Sequence, residues 1–176
     1  NPLALVLQHT VTTELDSEDV SGLSYSIVSG AVGDMAINSL AAFSWTPDFD
    51  AADLMPTSGY PVTVQVESYN GDFAQESFLI DVTNVNRIPT ITSLPSLTAT
   101  ENVLYEYDVI ADDLDVPFGD VLSYTLLQGP TGMTLNSLGE IDWTPGFDAW
   151  DLGPSYVVEV QVEDLFGGIA TQCFTI

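Results

Sequence analysis

Apolar and polar residues alternate with a period of two through most of this chain. Val62-Thr63-Val64-Gln65-Val66 and Phe78-Leu79-Ile80-Asp81-Val82 do so in the first half. Tyr105-Glu106-Tyr107-Asp108-Val109 and Val157-Val158-Glu159-Val160-Gln161-Val162 do so, or nearly so, in the second. β-Branched and aromatic residues at every second position fit a strand with one buried face. Turn formers separate these runs: Asn70-Gly71-Asp72, Gly129-Pro130, Gly153-Pro154 and Gly167-Gly168. No window carries the caps and 3.6-residue period of an amphipathic helix. The pattern predicts an all-β protein built as an immunoglobulin-like sandwich.

The chain states this pattern twice. Trp45-Thr46-Pro47-Asp48-Phe49-Asp50-Ala51-Ala52-Asp53-Leu54 recurs 98 residues later as Trp143-Thr144-Pro145-Gly146-Phe147-Asp148-Ala149-Trp150-Asp151-Leu152. Leu23-Ser24-Tyr25 matches Leu122-Ser123-Tyr124, Asn38-Ser39-Leu40 matches Asn136-Ser137-Leu138, and Val64-Gln65-Val66-Glu67 matches Val160-Gln161-Val162-Glu163. A repeat this long can enclose its own core, so two tandem domains are expected, residues 1–85 and 86–176. The connector Asn84-Val85-Asn86-Arg87-Ile88-Pro89 is short, which predicts sandwiches arranged end to end. Trp45 and Trp143 are expected in the cores, with carbohydrate stacking as the alternative. Ile91 to Leu97 reads as a first strand of the second copy, and the first copy has no counterpart. Either the chain is a piece of a longer polypeptide, or copy one accepts a strand from a neighbouring subunit. Leu3 to Leu7 would be the strand at that open edge.

Charge narrows the function classes. Twenty-six acidic residues face one basic residue, Arg87, and the formal net charge is −25. Nucleic-acid binding needs clustered cations, so that class is excluded, and an anionic membrane surface is equally unfavourable. No apolar run approaches the length of a membrane-spanning helix. So much like charge strains the compact state unless divalent cations or salt offset it. Hydrophobic residues make up 45% of the chain, enough for two packed cores. Cys173 stands alone, opposite Ser77 in the repeat, and is expected as a small core or half-buried strand residue. With no lysine a phosphate-binding P-loop cannot be built. A single histidine, His9, leaves a Ser-His-Asp arrangement one candidate base, in the first copy. The chain is therefore expected not to be an enzyme.

Several phrases of the second copy are specific enough to resemble a known family. These are Leu122-Ser123-Tyr124-Thr125-Leu126, Gly129-Pro130-Thr131-Gly132-Met133, Gly139-Glu140-Ile141-Asp142-Trp143-Thr144-Pro145 and Val162-Glu163-Asp164. They resemble tandem cadherin-like domains, in particular the dystroglycan-type cadherin-like and immunoglobulin-fold modules of microbial surface proteins. That resemblance implies calcium held by acids at the domain ends. Glu101 is similar to the family's first acid, Asp113 and Asp115 to its paired-acid loop, Asp148 and Asp151 to its mid-domain acids, and Asp164 to its late-strand acid. In copy one Glu14 and Asp16 match the loop, while Ser68 stands where Asp164 does. The linker keeps only Asn84 and Asn86, with Val82 and Val85 in place of acids.

The chemistry of the residues points the same way. Loops dense in Asp and Asn suit a hard cation that takes six to eight oxygens. One histidine and one cysteine exclude a zinc centre. End-to-end stacking would bring Asp50 and Asp53 of copy one towards Asp113, Asp115 and Asp164 of copy two. Glu101, Asp148 and Asp151 would then face a further domain. Acids that merely cap turns are the alternative. The expected function is an extracellular structural or adhesive surface module, stiffened by calcium and partnered by neighbouring copies in an array or filament. The competing reading is a carbohydrate- or protein-binding accessory module of a secreted polysaccharide-degrading enzyme, with Trp150, Tyr69, Phe166 and Tyr60 as exposed aromatics for a glycan. A third is an acidic surface adapted to high salt without metal sites.

Overall fold

A computed structural model describes residues 22–153 and 155–176. Leu3 to Leu7, His9, Glu14 and Asp16 lie outside the described residues. The chain divides into two compact units, with the division between Val85 and Asn86.

In the first unit the alternating runs form β1 (Ser24–Ser29), β2 (Ala36–Ile37), β3 (Phe43–Ser44), β4 (Tyr60–Glu67) and β5 (Phe73–Ile80). β4 lies between β1 and β5 in one antiparallel sheet, and β2 pairs with β3 in another. Val62, Val64 and Val66 of β4 are buried, and Val62 and Val64 pack with Met35, Phe43, Trp45 and Ile80.

The second unit contains β6 (Thr90–Ile91), β7 (Tyr105–Asp108), β8 (Ala111–Asp112), β9 (Ser123–Gln128), β10 (Thr134–Leu135), β11 (Glu140–Trp143), β12 (Val157–Glu163) and β13 (Ile169–Thr175). β12 is the centre of the β9-β12-β13 sheet, and β11 joins β7 to β10 in a second. Val158, Val160 and Val162 are fully buried against Ile141, Tyr105, Tyr107, Trp143 and Phe174. Burial pushes the Tyr105 phenol up to about 12, with Tyr107 adding to it, which keeps the hydroxyl protonated to donate to the Ser96 carbonyl at 2.8 Å. Equivalent strands share a register: Tyr25 stands opposite Val66 in unit one, and Tyr124 opposite Val162 in unit two.

The repeated decapeptide has a common physical explanation. Trp45 and Trp143 are buried, as expected, and each packs edge-on against a tyrosine that opens the next long strand. The ring centroids are 5.1 Å apart for Trp45–Tyr60 and 5.0 Å for Trp143–Tyr156. Each tyrosine hydroxyl then donates to a carbonyl of the loop, Tyr60 to Ala51 at 2.7 Å and Tyr156 to Ala149 at 2.6 Å. The loop after each tryptophan is thereby strapped back onto the core.

Four sequence expectations need correction. Ile91 to Leu97 is strand only at its start, because Pro95 lacks a donor and Ser93 bonds to Tyr107 and Gln172 side chains instead. One helical turn, α1 (Ala149–Leu152), sits in the decapeptide loop, too short to show as an amphipathic period. Cys173 is exposed, because on β13 the buried face falls to Phe174. Tyr60 is half-buried by its tryptophan rather than presented to solvent.

The matched Asn-Ser-Leu turns differ at one informative position. Asn38 Oδ1 accepts from the Leu40 and Ala42 amides, and Asn136 Oδ1 from those of Leu138 and Glu140. The turn needs a left-handed residue, supplied by Gly139 at φ 89° in one copy and by Ala41 at φ 62° in the other. A Cβ at position 139 would lie 2.6 Å from the Val109 carbonyl oxygen. Ala41→Gly is therefore expected to stabilise unit one by about 0.5–1 kcal/mol, and Gly139→Ala to destabilise unit two by at least that. Denaturant titrations of both variants check this, and a destabilised Ala41→Gly would contradict the reading.

Candidate metal centre

β12 begins just after Tyr156, whose hydroxyl donates to the Ala149 carbonyl, and ends one residue before Asp164. Seven extended residues separate these ends, so unit two has an Ala149 end and an Asp164 end about 23 Å apart. Three chain segments meet at the Asp164 end. One is the β12–β13 turn from Asp164 to Gly168. Another is the loop from Asp113 to Asp120, folded around a short 3-10 turn at Val116–Phe118. Asn86 and Arg87, the first residues of the unit, complete the set.

Asp164 is buried, and both its oxygens accept hydrogen bonds. Oδ1 accepts from the Phe166 and Gly168 amides at 2.8 and 2.7 Å, and Oδ2 from Asn86 Nδ2 at 2.8 Å. Burial by itself would raise its pKa, but the hydrogen bonds from Asn86, Gly168, Phe166 and Gly167 outweigh that and hold the carboxyl below its ordinary value. Gly168 makes the approach feasible, since a Cβ there would lie 2.1 Å from Asp164 Oδ2 and 2.9 Å from Asn86 Nδ2.

Asp120 is also buried, and its Oδ1 accepts from the Val121 and Leu165 amides at 2.7 and 2.9 Å. Half-buried Asp113 accepts from the Asp115 amide through Oδ1 at 2.8 Å. Among the described residues Asp113, Asp120 and Asp164 form a group in which one carboxylate oxygen of each lies within 4.8 Å of the others. Three oxygens here are buried without a hydrogen-bond partner: Asp113 Oδ2, Asp120 Oδ2 and Asn86 Oδ1. Buried acceptors without donors are costly unless a cation compensates them. The donor set is oxygen alone, which fits calcium and does not fit zinc.

Asp115 is committed elsewhere. It is 4% exposed, and Arg87 donates to its Oδ2 from the backbone amide and to its Oδ1 from Nε, both at 2.7 Å. Arg87 Nη2 adds a contact to Oδ1 and one to the Leu114 carbonyl at 3.1 Å.

The sequence-derived residues thus fall into distinct places. Asn86, Asp113 and Asp164 come together, and Asp115 lies beside them bonded to Arg87. Asp120 was missed; its signal is an acid seven residues after Asp113, across the Pro117-Phe118-Gly119 turn that brings it back. In unit one Asn84 Nδ2 lies 3.4 Å from Asp53 Oδ1, Asp53 Oδ2 is buried without a partner, and the Asp50 carbonyl accepts from Leu54 within the same loop. Glu101 accepts from the Trp150 amide at 2.9 Å, at the Ala149 end of unit two. Asp148 immediately precedes the same helical turn with no side-chain bond to it, and Asp151 lies within the turn.

A family model described as "Putative Ig domain" matches residues 88–176, just over half of the chain. The chain belongs to that family. Its fold is also similar to solved cadherin ectodomains. Drosophila N-cadherin EC1-4 matches over 96% of this chain and 44% of that one, at 19% identity and a TM-score of 0.55. Human protocadherin-24 EC1-2 matches over 92% of this chain and 81% of that one, at 16% identity and a TM-score of 0.50. At such identities the likeness is one of fold, so the cadherin-like, immunoglobulin-like all-β architecture expected from the sequence is shown. No curated protein matches the chain. No helix among the described residues is long and apolar enough to cross a membrane.

The depressed Asp164 pKa has a pH consequence with a definite sign. A carboxylate favoured in the folded state contributes stability above its unfolded pKa, and that contribution is lost as pH falls through the folded value. Unit two should therefore lose stability on acidification below the ordinary aspartate range. Asp164→Asn should make the acid limb of a stability–pH curve shallower, by up to about 1.4 kcal/mol per pH unit, the slope for one proton. An unchanged limb would remove Asp164 from the account.

Proposed function

We propose that this chain is a structural or adhesive module displayed outside the cell, and that the Asp164 end of its second unit binds one calcium ion. The observation that carries the calcium reading is the convergence of Asp113, Asp120 and Asp164 with three buried oxygens that no donor satisfies. Asn86 Oδ1 and the Asp113, Asp120 and Asp164 carboxylates would hold the ion. Calcium would supply charge neutralisation and cross-linking of three segments, with no chemistry beyond that.

The finer proposal follows from which segments are tied. Asn86 directly follows the unit division, so an ion held by Asn86 and both loops fixes the start of unit two to its own body. A succession of such modules gains stiffness wherever each junction is fixed in this way. Neighbouring domains or copies of the same protein are then the expected partners, in an array or filament, and no catalytic step is proposed. A net charge of −25 keeps such modules apart laterally and well solvated. One specific observation supports the accessory-module reading: Phe147 and Trp150 stand 73% and 70% exposed on one loop, an arrangement suited to stacking on a sugar.

Thermal unfolding with calcium against sodium chloride of equal ionic strength tests the proposal. A bound ion at a hundred times its Kd stabilises by about 2.7 kcal/mol, on the order of 10 °C for a unit of this size, and screening alone gives no such difference. Asp120→Asn keeps the Oδ1 acceptor for Val121 and Leu165 but removes a charge from the cluster. It should raise the melting temperature in chelator, by relieving repulsion, and remove most of the calcium response. Melting that is indifferent to calcium would defeat the metal reading. Glycan binding that survives chelation would favour the accessory-module reading.

A further inference from the structure

The chain has one cation against 26 acids, and that cation is built into the acidic end of unit two. We propose that Arg87 is a metal-independent clasp that positions Asn86 in the calcium site before any ion arrives. The affinity part of this inference rests on the calcium reading above; the clasp itself does not.

Arg87 grips Asp115 with both backbone and side chain. Its amide takes Oδ2, Nε and Nη2 take Oδ1, and Nη2 also reaches the Leu114 carbonyl. The two side chains are 17% and 5% exposed, so the pair is largely shielded from water and salt. A planar guanidinium and a backbone amide on one carboxylate define both the place and the direction of the chain at residue 87. Asn86 is its neighbour, and with residue 87 pinned, Nδ2 of Asn86 meets Asp164 while Oδ1 is left buried and unbonded. Asp115 is already neutralised by the Arg87 guanidinium, whereas Asp164 accepts only from neutral donors, so Asp115 serves the clasp and the ion is left to Asp113, Asp120, Asp164 and Asn86. A ligand set held in place beforehand loses less freedom when the ion binds.

Two opposing effects follow from removing Arg87, and their signs differ. Loss of a positive charge and release of Asp115 would strengthen calcium binding by electrostatics. Loss of pre-organisation would weaken it. The clasp predicts that the second wins.

Residue-resolved amide hydrogen exchange and calcium calorimetry on the full 176-residue chain test this. In chelator the Arg87 amide of the unsubstituted chain should be protected, because its acceptor is a protein carboxylate. In Arg87→Gln that protection should fall by about tenfold or more in chelator, while the Val160 and Val162 amides of the core stay protected. Calcium affinity should drop by about tenfold, with partial recovery in Arg87→Lys, which restores charge without the fork. If Arg87→Gln does not fold, Arg87→Lys and Asp115→Asn carry the same comparison. An Arg87 amide protected only in calcium overturns the proposal, as does tighter calcium binding by Arg87→Gln. A chain protected at Arg87 in chelator that takes up no calcium keeps the clasp and defeats the calcium reading alone.

Discussion

Buried carboxylates are the constraint on which the second unit turns. Asp115, Asp120 and Asp164 are each about 5% exposed, and Asp113 joins them. An ionised carboxylate removed from water is tolerated only when hydrogen bonds or a cation replace the hydration it has lost. The protein solves this differently for each acid. Asp164 is satisfied by Asn86 and a turn of backbone amides, and Asp115 by Arg87. Asp113 and Asp120 are each satisfied through one oxygen and left open through the other. The open oxygens are where a divalent ion has the most to gain.

The β framework exists to deliver those loops to one end. Val158, Val160 and Val162 fix the register of β12 by burying alternate positions, and a one-residue slip would turn them to water and their polar neighbours inward. With that register set, Asp164 can only fall at the strand's end. The tryptophan–tyrosine strap does corresponding work at the other end, binding the Ala149 loop to the core. Copy one keeps the strap and the strand register but not the acid. Ser68 occupies the place of Asp164, buried and with its hydroxyl unbonded. The architecture is thus shared, while the charge at the end of the central strand is not.

What the sequence revealed follows from the range of the forces involved. Strand period and turn residues are local, so the long strands and the Trp45 and Trp143 cores could be read directly. The acid cluster depends on which loops meet. Asp113 and Asp164 were legible from the family-like phrases around them, but Asp120 was not, because only the Pro117-Phe118-Gly119 turn returns it to the site. Asp115 looked equivalent to Asp113 at a spacing of two, and only the Arg87 contact separates their roles. Cys173 was misplaced for a smaller reason. Alternation on β13 leaves its face undecided by pattern alone, and Phe174 takes the buried one because it brings more apolar area.

The single arginine sharpens the difference between screening and binding as answers to net charge. A uniformly acidic surface can be relieved by salt, because exposed charges beyond about 10 Å are screened at moderate ionic strength. The Asp164 end cannot be relieved that way, since its acids are shielded from the solvent that carries the counter-ions. Only a cation that enters the site can do so. Arg87 is one such cation, and its fork is spent on Asp115. Asp113, Asp120 and Asp164 then remain clustered, with Asp113 Oδ2 and Asp120 Oδ2 buried and unbonded, an all-oxygen set whose charge and hardness suit a divalent ion such as calcium better than sodium.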